Sequence, residues 1–345
     1  MIPSSRLTRR RATAAALAGA GALAAPAILR AQAPIELKVS HYLPPVHRLH
    51  TDVLEPWGKD LEQRTGGRVK VLLHAGNTAF GNINNQLDQV LAGVMDVALG
   101  LHGIPRGRFP RTGIIDMPFL TTSAEQASRI LWTLYPELLK DEYRGVKVLS
   151  LFAHNPGVIH TRAQKVEKME DLKGLRIRAP SPVVSNMLSF LGATPVGLPP
   201  GQIYEALMAG TLDGYVLPWD PVHSFKLAEV TKFHLDIAAY TVSFYIVMNE
   251  RRYQGLPEEV RAAVDALSGE ALLPRIVAAW NRADADGKAA AQARGNTITV
   301  ASAEERVRWR QALEPMIQEE LGRLEREGVT NARAIYARMR ELAQA

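Results

Sequence analysis

Leu175-Arg176-Ile177-Arg178-Ala179-Pro180 and the run Ser181 to Leu191 behind it carry the pattern that decides the fold. Leu175 to Ala179 alternates apolar and basic side chains as a strand does, and Ser181 to Leu191 reads as a helix. Pro195-Val196 is then a short strand, Gly201 to Gly210 a helix and Leu212 to Leu217 a strand. Just upstream, Val146 to Ala153 and Val158 to Thr161 read as strands, and Met169 to Gly174 as a turn. A similar series fills the first part of the chain. Ile35 to Ser40 is a strand, His41 to Pro45 a loop, and Leu49 to Thr65 a helix with Val53, Trp57 and Leu61 at four-residue spacing, stopped by Gly66-Gly67. Val69 to His74 (strand), Asn84 to Ala92 (helix), Val94 to Leu99 (strand) and Gly100 to Arg111 (loop) follow. Phe244 to Met248 is an apolar strand. Beyond Pro257 the pattern is helical, with a kink expected at Pro274 and an interruption at Thr297 to Val300.

Strand–helix alternation implies parallel βαβ units, so two series predict an α/β protein with two lobes. Ligands of open α/β sheets bind at the carboxyl ends of strands, and clefts between domains are favoured sites. The loops after Ser40, Leu99, Ala153, Arg178 and Leu217 are therefore the ones to follow.

The first 33 residues contain Arg6, Arg9, Arg10, Arg11 and Arg30, no acid, an alanine-rich run from Ala12 to Ala27, and Ala31-Gln32-Ala33 at the end. That is the layout of a secretory signal peptide, and Thr8-Arg9-Arg10-Arg11 suggests the twin-arginine route. Cleavage after Ala33 would expose Pro34, so cleavage after Ala31 is the alternative. The net charge of +6 includes these five arginines, leaving about +1 for the remainder. The basic balance thus belongs to the export signal and gives no reason to expect nucleic acid. No other apolar run approaches the ~20 residues of a membrane span. With no cysteine in the chain, disulfides, thiolate nucleophiles and cysteine metal sites are excluded. The remaining residues, roughly 310, suffice for two cored domains.

Catalytic signatures are absent: no G-x-S-x-G elbow, no H-E-x-x-H and no phosphate-binding loop. Gly19-Ala20-Gly21-Ala22-Leu23-Ala24 mimics a dinucleotide motif but sits inside the signal with no preceding strand. His41, His47 and His50 crowd one loop, but no carboxylate pair completes a metal site. Ordinary hydrogen bonding is the preferred reading, with a ligand contact open to His41. The best chemical feature is Arg176-Ile177-Arg178, whose alternation puts both arginines on one side of the strand, with Arg178 at its carboxyl end. A guanidinium there matches a carboxylate through two parallel hydrogen bonds of about 1.5–3 kcal/mol each, a fork that lysine lacks. The alternative is a surface ion pair worth about 0–1 kcal/mol. Trp219, after Leu217-Pro218, either walls the cleft or caps a core. Phe152, Phe244 and Tyr245 share that ambiguity, with packing favoured.

Several segments occur in an order that resembles the DctP-type solute-binding proteins of tripartite ATP-independent periplasmic (TRAP) transporters. They are Gly157 to Arg162, Asp171 to Pro180, Leu191 to Val196 and Leu212-Asp213-Gly214, with Thr65 to Val69, Met117 to Leu120, Val247-Met248-Asn249 and Leu256-Pro257. The resemblance covers essentially everything after the signal. It implies a two-lobed periplasmic-binding-protein-like fold with crossing hinge strands, a long lobe-spanning helix and closure around the ligand. Lobe I would comprise 34–155 plus 244–283, and lobe II 156–243 plus 284–345. It further implies that Arg178 binds the substrate carboxylate, and that His41, Tyr42, Phe152, Leu217, Trp219 and Phe244 line the pocket.

Departures narrow the ligand. Val216-Leu217 stands where sialate and C4-dicarboxylate binders commonly carry Glu-Asn, and the further arginine that many have near Gly157 is absent. A monocarboxylate with an apolar or aromatic body is favoured. The expected protein is periplasmic and monomeric, without cofactor or metal, and delivers its solute to TRAP permease subunits. A rival reading couples it to another transporter or sensor; a second makes it a periplasmic enzyme on the same scaffold.

Overall fold

The computed structural model describes residues 33–344, so the signal expected over 1–33 lies, Ala33 apart, outside the described residues. β1 (Ile35–His41) runs through a helical turn at 49–54 into α1 (Glu55–Arg64). β2 (Val69–His74), α2 (Gln86–Leu91), β3 (Val97–Leu101), α3 (Ala124–Leu134) and β4 (Val146–Ala153) follow. A second series holds β5 (Val158–Thr161), β6 (Arg176–Ala179), α4 (Pro182–Phe190), β7 (Thr194–Gly197) and α5 (Ile203–Met208). It continues with β8 (Gly214–Leu217), α6 (Asp220–Ser224) and β9 (Phe233–Asp236). The chain returns through β10 (Ser243–Asn249), α7 (Glu250–Gln254) and α8 (Glu258–Ala266). It ends on α9 (Leu273–Ala293), β11 (Thr297–Val300), α10 (Ala303–Arg326) and α11 (Ala332–Gln344).

Two sheets result, ordered β2-β1-β3-β10-β4 and β11-β9-β5-β8-β6-β7. The predicted parallel pairing holds for β1 with β2 and β3, and for β6 with β7 and β8. It fails for β10 and β5, which run antiparallel to both neighbours. These two strands arrive from the other sheet rather than through a helical crossover, and only the crossover demands parallel pairing. Every residue of β3 and β10 is buried, as in a sheet covered on both faces.

Among the described residues four segments join the lobes: 154–157, 237–242, α9 and α10. The first two are bonded to each other, Gly157 N donating to Tyr240 O at 2.7 Å and His154 N to Val242 O at 3.2 Å. A Cβ on Gly157 would lie 2.2 Å from the Tyr240 ring, so only glycine lets these segments touch. α9, with 21 residues, is about 32 Å long. It packs on 49–54 and α3 beside the first sheet, and on α6 and β11 beside the second.

Three local readings change. Pro274 occupies the first turn of α9, where its missing N–H is harmless, and produces no kink there. β3 starts at Val97 because the amides of Val94 and Met95 both bond to Gln89 O, closing the end of α2. Thr297 to Val300 is more than an interruption: it pairs with β9, a strand the sequence pattern did not reveal. In addition, α11 packs against α3, with Ile335 and Met339 in one apolar cluster with Val148 and Leu151.

Candidate functional site

Elements of both sheets and α9 converge where the lobes meet. β6 ends in Ala179, after which Ser181 caps α4 by accepting a hydrogen bond from Val184 N. That break holds Arg178 at the sheet's carboxyl edge, completely buried. Its Nε donates to Leu198 O at 2.8 Å, while Nη1 and Nη2 have no partner among the described residues. Burial pulls its pKa down to about 10, so the group remains cationic at neutral pH. Arg176 has the opposite fate. Its fork grips Asp213 at 2.9 and 2.7 Å, with its side chain 45 % exposed. Of two arginines on one strand, only Arg178 keeps its fork free.

The Arg178 side chain lines a cavity with Tyr42, Leu43 and His47 from the loop after β1, Leu101 from β3, and Phe244 from β10. The second lobe adds Leu217, Pro218, Asp220 and Phe225, and α9 adds Trp280. The open volume is about 30 Å³, near one water molecule's share of liquid. His47 Nε2 and Asp220 Oδ2 lie 2.8 Å apart, both buried, tying the first-lobe loop to the start of α6. Asp220 N donates to Asp284 Oδ1 at 2.8 Å, and Asn155 Nδ2 to Asp284 Oδ2 at 2.9 Å, so α9 holds the site and the first crossing segment together.

Arg178, Tyr42, Leu217 and Phe244, all expected at the pocket, line this cavity. Phe152 does not; it stacks behind Phe244, centroids 5.4 Å apart and 11° from parallel. His41 is not a lining residue either: its Nε2 lies 2.8 Å from His50 Nδ1, and its Nδ1 accepts from Leu43 N. Nor is Trp219 among the lining residues. Its indole packs edge-on against His160 and donates to Asp236 Oδ2 at 3.3 Å, in an apolar cluster with Val158, Val222 and Ala291. None of these apolar partners lines the cavity. Among the described residues no three His, Cys, Asp or Glu side chains are grouped to hold a metal ion. Sequence reading missed His154, Trp280 and Asp220 as lining residues. His154 follows Ala153, whose loop was marked; Trp280 sits in a helical run with no local signal.

Residues 39–322 match the bacterial extracellular solute-binding proteins, family 7. The chain belongs to this family. It is 31 % identical to the outer membrane transporter protein TsaT of Comamonas testosteroni over 76 % of this chain and 77 % of that one. It is 29 % identical to the 2,3-diketo-L-gulonate-binding periplasmic protein YiaO of Escherichia coli, over 61 % and 65 %. In structure it resembles a TRAP solute-binding protein of Rhodoferax ferrireducens in complex with copurified benzoate. That pair has a TM-score of 0.86 and 32 % identity, over 90 % of this chain and 98 % of that one. A TRAP periplasmic solute-binding protein of Bordetella bronchiseptica with bound (R)- and (S)-mandelate superposes at TM-score 0.81 and 28 % identity, over 90 % and 99 %. The chain is thus a two-lobed solute-binding protein of the TRAP type, and among the described residues no helix is long and apolar enough to cross a membrane.

The solute-binding protein also buries several titratable groups. Burial lowers His41 and His102 to about 3 and His154 and His234 to about 4, and takes His160 well below its ordinary value. Burial raises Asp116 and Asp284 to about 7. Unfolded histidines take up protons near 6.5 and these folded ones only at markedly lower pH, so their contribution to stability is lost as pH falls below about 6.5. The two carboxyls act oppositely, holding protons in the folded state between about pH 4 and 7. Five histidines outweigh two carboxyls. The melting temperature therefore falls on the order of 5 °C between pH 7.5 and 5.5; a flat or rising profile by calorimetry contradicts this balance.

Proposed function

We propose that this protein captures a small aromatic monocarboxylate between its lobes, outside the cytoplasmic membrane, and hands it to the membrane subunits of a TRAP transporter. The observation that carries the reading is the buried Arg178 fork with both terminal nitrogens unpartnered on the cavity. A carboxylate supplies two acceptors in the matching geometry. Arg178 is the one arginine or lysine lining the cavity among the described residues, and Asp220 would repel a second carboxylate. Phe244 and Trp280 offer faces to a ring. The benzoate and mandelate held by structural neighbours are acids of this class.

Binding contacts are assigned to Arg178, Tyr42, Leu217 and Phe244, with Phe152 and His41 as support. The buried fork and the small volume mean that such an acid enters only when the lobes part, the hinge being 154–157, 237–242, α9 and α10. Lobe I is taken as 34–155 plus 244–283, joined by α11 through its packing on α3, and lobe II as 156–243 plus the rest of 284–345. The segment 1–33 is taken as an export signal, and the protein as a monomer that binds without turnover.

The test is thermal unfolding with benzoate. A ligand at a hundred times its Kd stabilises by about 2.7 kcal/mol, so the midpoint climbs with benzoate concentration while chromatography recovers all of the acid. No shift with benzoate, phenylacetate or mandelate refutes the carboxylate reading. Consumption of the acid would favour the enzyme instead.

A further inference from the structure

The carboxylate reading leaves two polar atoms of the cavity unexplained. His154 and Trp280 both line it, each is 2 % exposed, and neither His154 Nε2 nor Trp280 Nε1 has a partner among the described residues. Their rings meet edge to face with centroids 6.1 Å apart. The two nitrogens are chemically opposite. His154 Nδ1 lies against the Asn155 carbonyl, which can only accept, so Nδ1 carries the hydrogen and Nε2 of the neutral ring is a bare acceptor. Burial keeps that ring neutral, with its pKa near 4. An indole N–H can only donate.

Leaving either group buried and unsatisfied is unfavourable. An apolar ring satisfies neither, and an ether oxygen serves only the indole. A hydroxyl serves both, because its oxygen accepts while its hydrogen is donated. Arg178, His154 and Trp280 line the same cavity, so one small molecule held there faces both the guanidinium and this pair.

We propose that the solute carries a hydroxyl group as well as its carboxylate, the hydroxyl accepting from Trp280 Nε1–H and donating to His154 Nε2. This rests on the carboxylate reading above and narrows it from aromatic acids to hydroxylated ones. Mandelate against phenylacetate, and 3- and 4-hydroxybenzoate against benzoate, are the informative pairs, with the corresponding methyl ethers as a third member.

Calorimetric titration of the wild-type protein with these triplets is the experiment. At least one hydroxy acid binds about tenfold or more tightly than both its parent and its methyl ether, the discrimination of one well-made buried hydrogen-bond pair. In Trp280→Phe and His154→Phe that ratio drops below about threefold, whatever either change does to the parent acid. Ratios below tenfold for every triplet in the wild type overturn the hydroxyl assignment, whether or not the variants fold. So does a ratio that survives in a folded Trp280→Phe. Binding of benzoate with flat ratios leaves the carboxylate reading standing; no binding of any of these acids sinks both.

Discussion

Arg178→Met removes affinity for benzoate by about two to four orders of magnitude, while the ligand-free variant melts no lower than the wild type. The affinity loss follows from two charge-assisted hydrogen bonds, each about 1.5–3 kcal/mol, made by Nη1 and Nη2 to the carboxylate. The stability half follows from burial. A buried cation without a counter-charge weakens the fold, and methionine fills similar volume without it. Against this stands one hydrogen bond, Arg178 Nε to Leu198 O, worth about 1 kcal/mol net. Arg176→Met is the control: its fork is used by Asp213 at the surface, so benzoate affinity does not change. Retained affinity in Arg178→Met would move the anchor elsewhere; an unfolded variant would show that the guanidinium is structural.

Gly287→Ala destabilises the protein by about 3 kcal/mol or more, read from urea unfolding. Two effects compete. Alanine in a helix interior is favoured over glycine by about 1 kcal/mol. At Gly287, however, a Cβ would stand 1.8 Å from the Trp219 carbonyl oxygen, a backbone atom that no side-chain rotation can remove. Ala279, Ala283, Gly287 and Ala291 form a row of small buried residues along α9 at four-residue spacing. That row brings α9 against α6, where Asp220 lines the cavity, so the clash outweighs the propensity. Gly201→Ala, with open space around its Cβ, stays within about 0.5 kcal/mol. If the two variants unfold alike, the close approach of α6 and α9 does not carry the joint.

Much of the molecule was legible before folding. The alternation of Leu175 to Ala179, the four-residue spacing of Val53, Trp57 and Leu61, and the glycine stops depend on neighbours within a turn or a strand. Hidden elements were those without such a signature. β9 is a strand because β5 and β11 flank it, and β3 begins late because the end of α2 claims two amides.

The candidate site divides the same way. Its anchor was visible as an arginine at a strand's carboxyl end, and so was the loop that carries Tyr42. Which arginine stayed free was decided by Asp213, 37 residues beyond Arg176. Whether Trp219 walls the cleft was decided by His160, Asp236 and Ala291, which gather its indole elsewhere. The hydroxyl-matching pair joins His154 in a hinge segment to Trp280 in a helix 126 residues on.

By itself the sequence determined the α/β class, the two series of strands and helices and a candidate anchor. Those rest on local propensity and short-range pattern, which the chain carries wherever it is placed. Tertiary structure alone decided which polar groups find partners and which are buried without one. A hydrogen-bond partner depends on distance in space rather than along the chain, and the unpartnered groups are the ones that point to the solute.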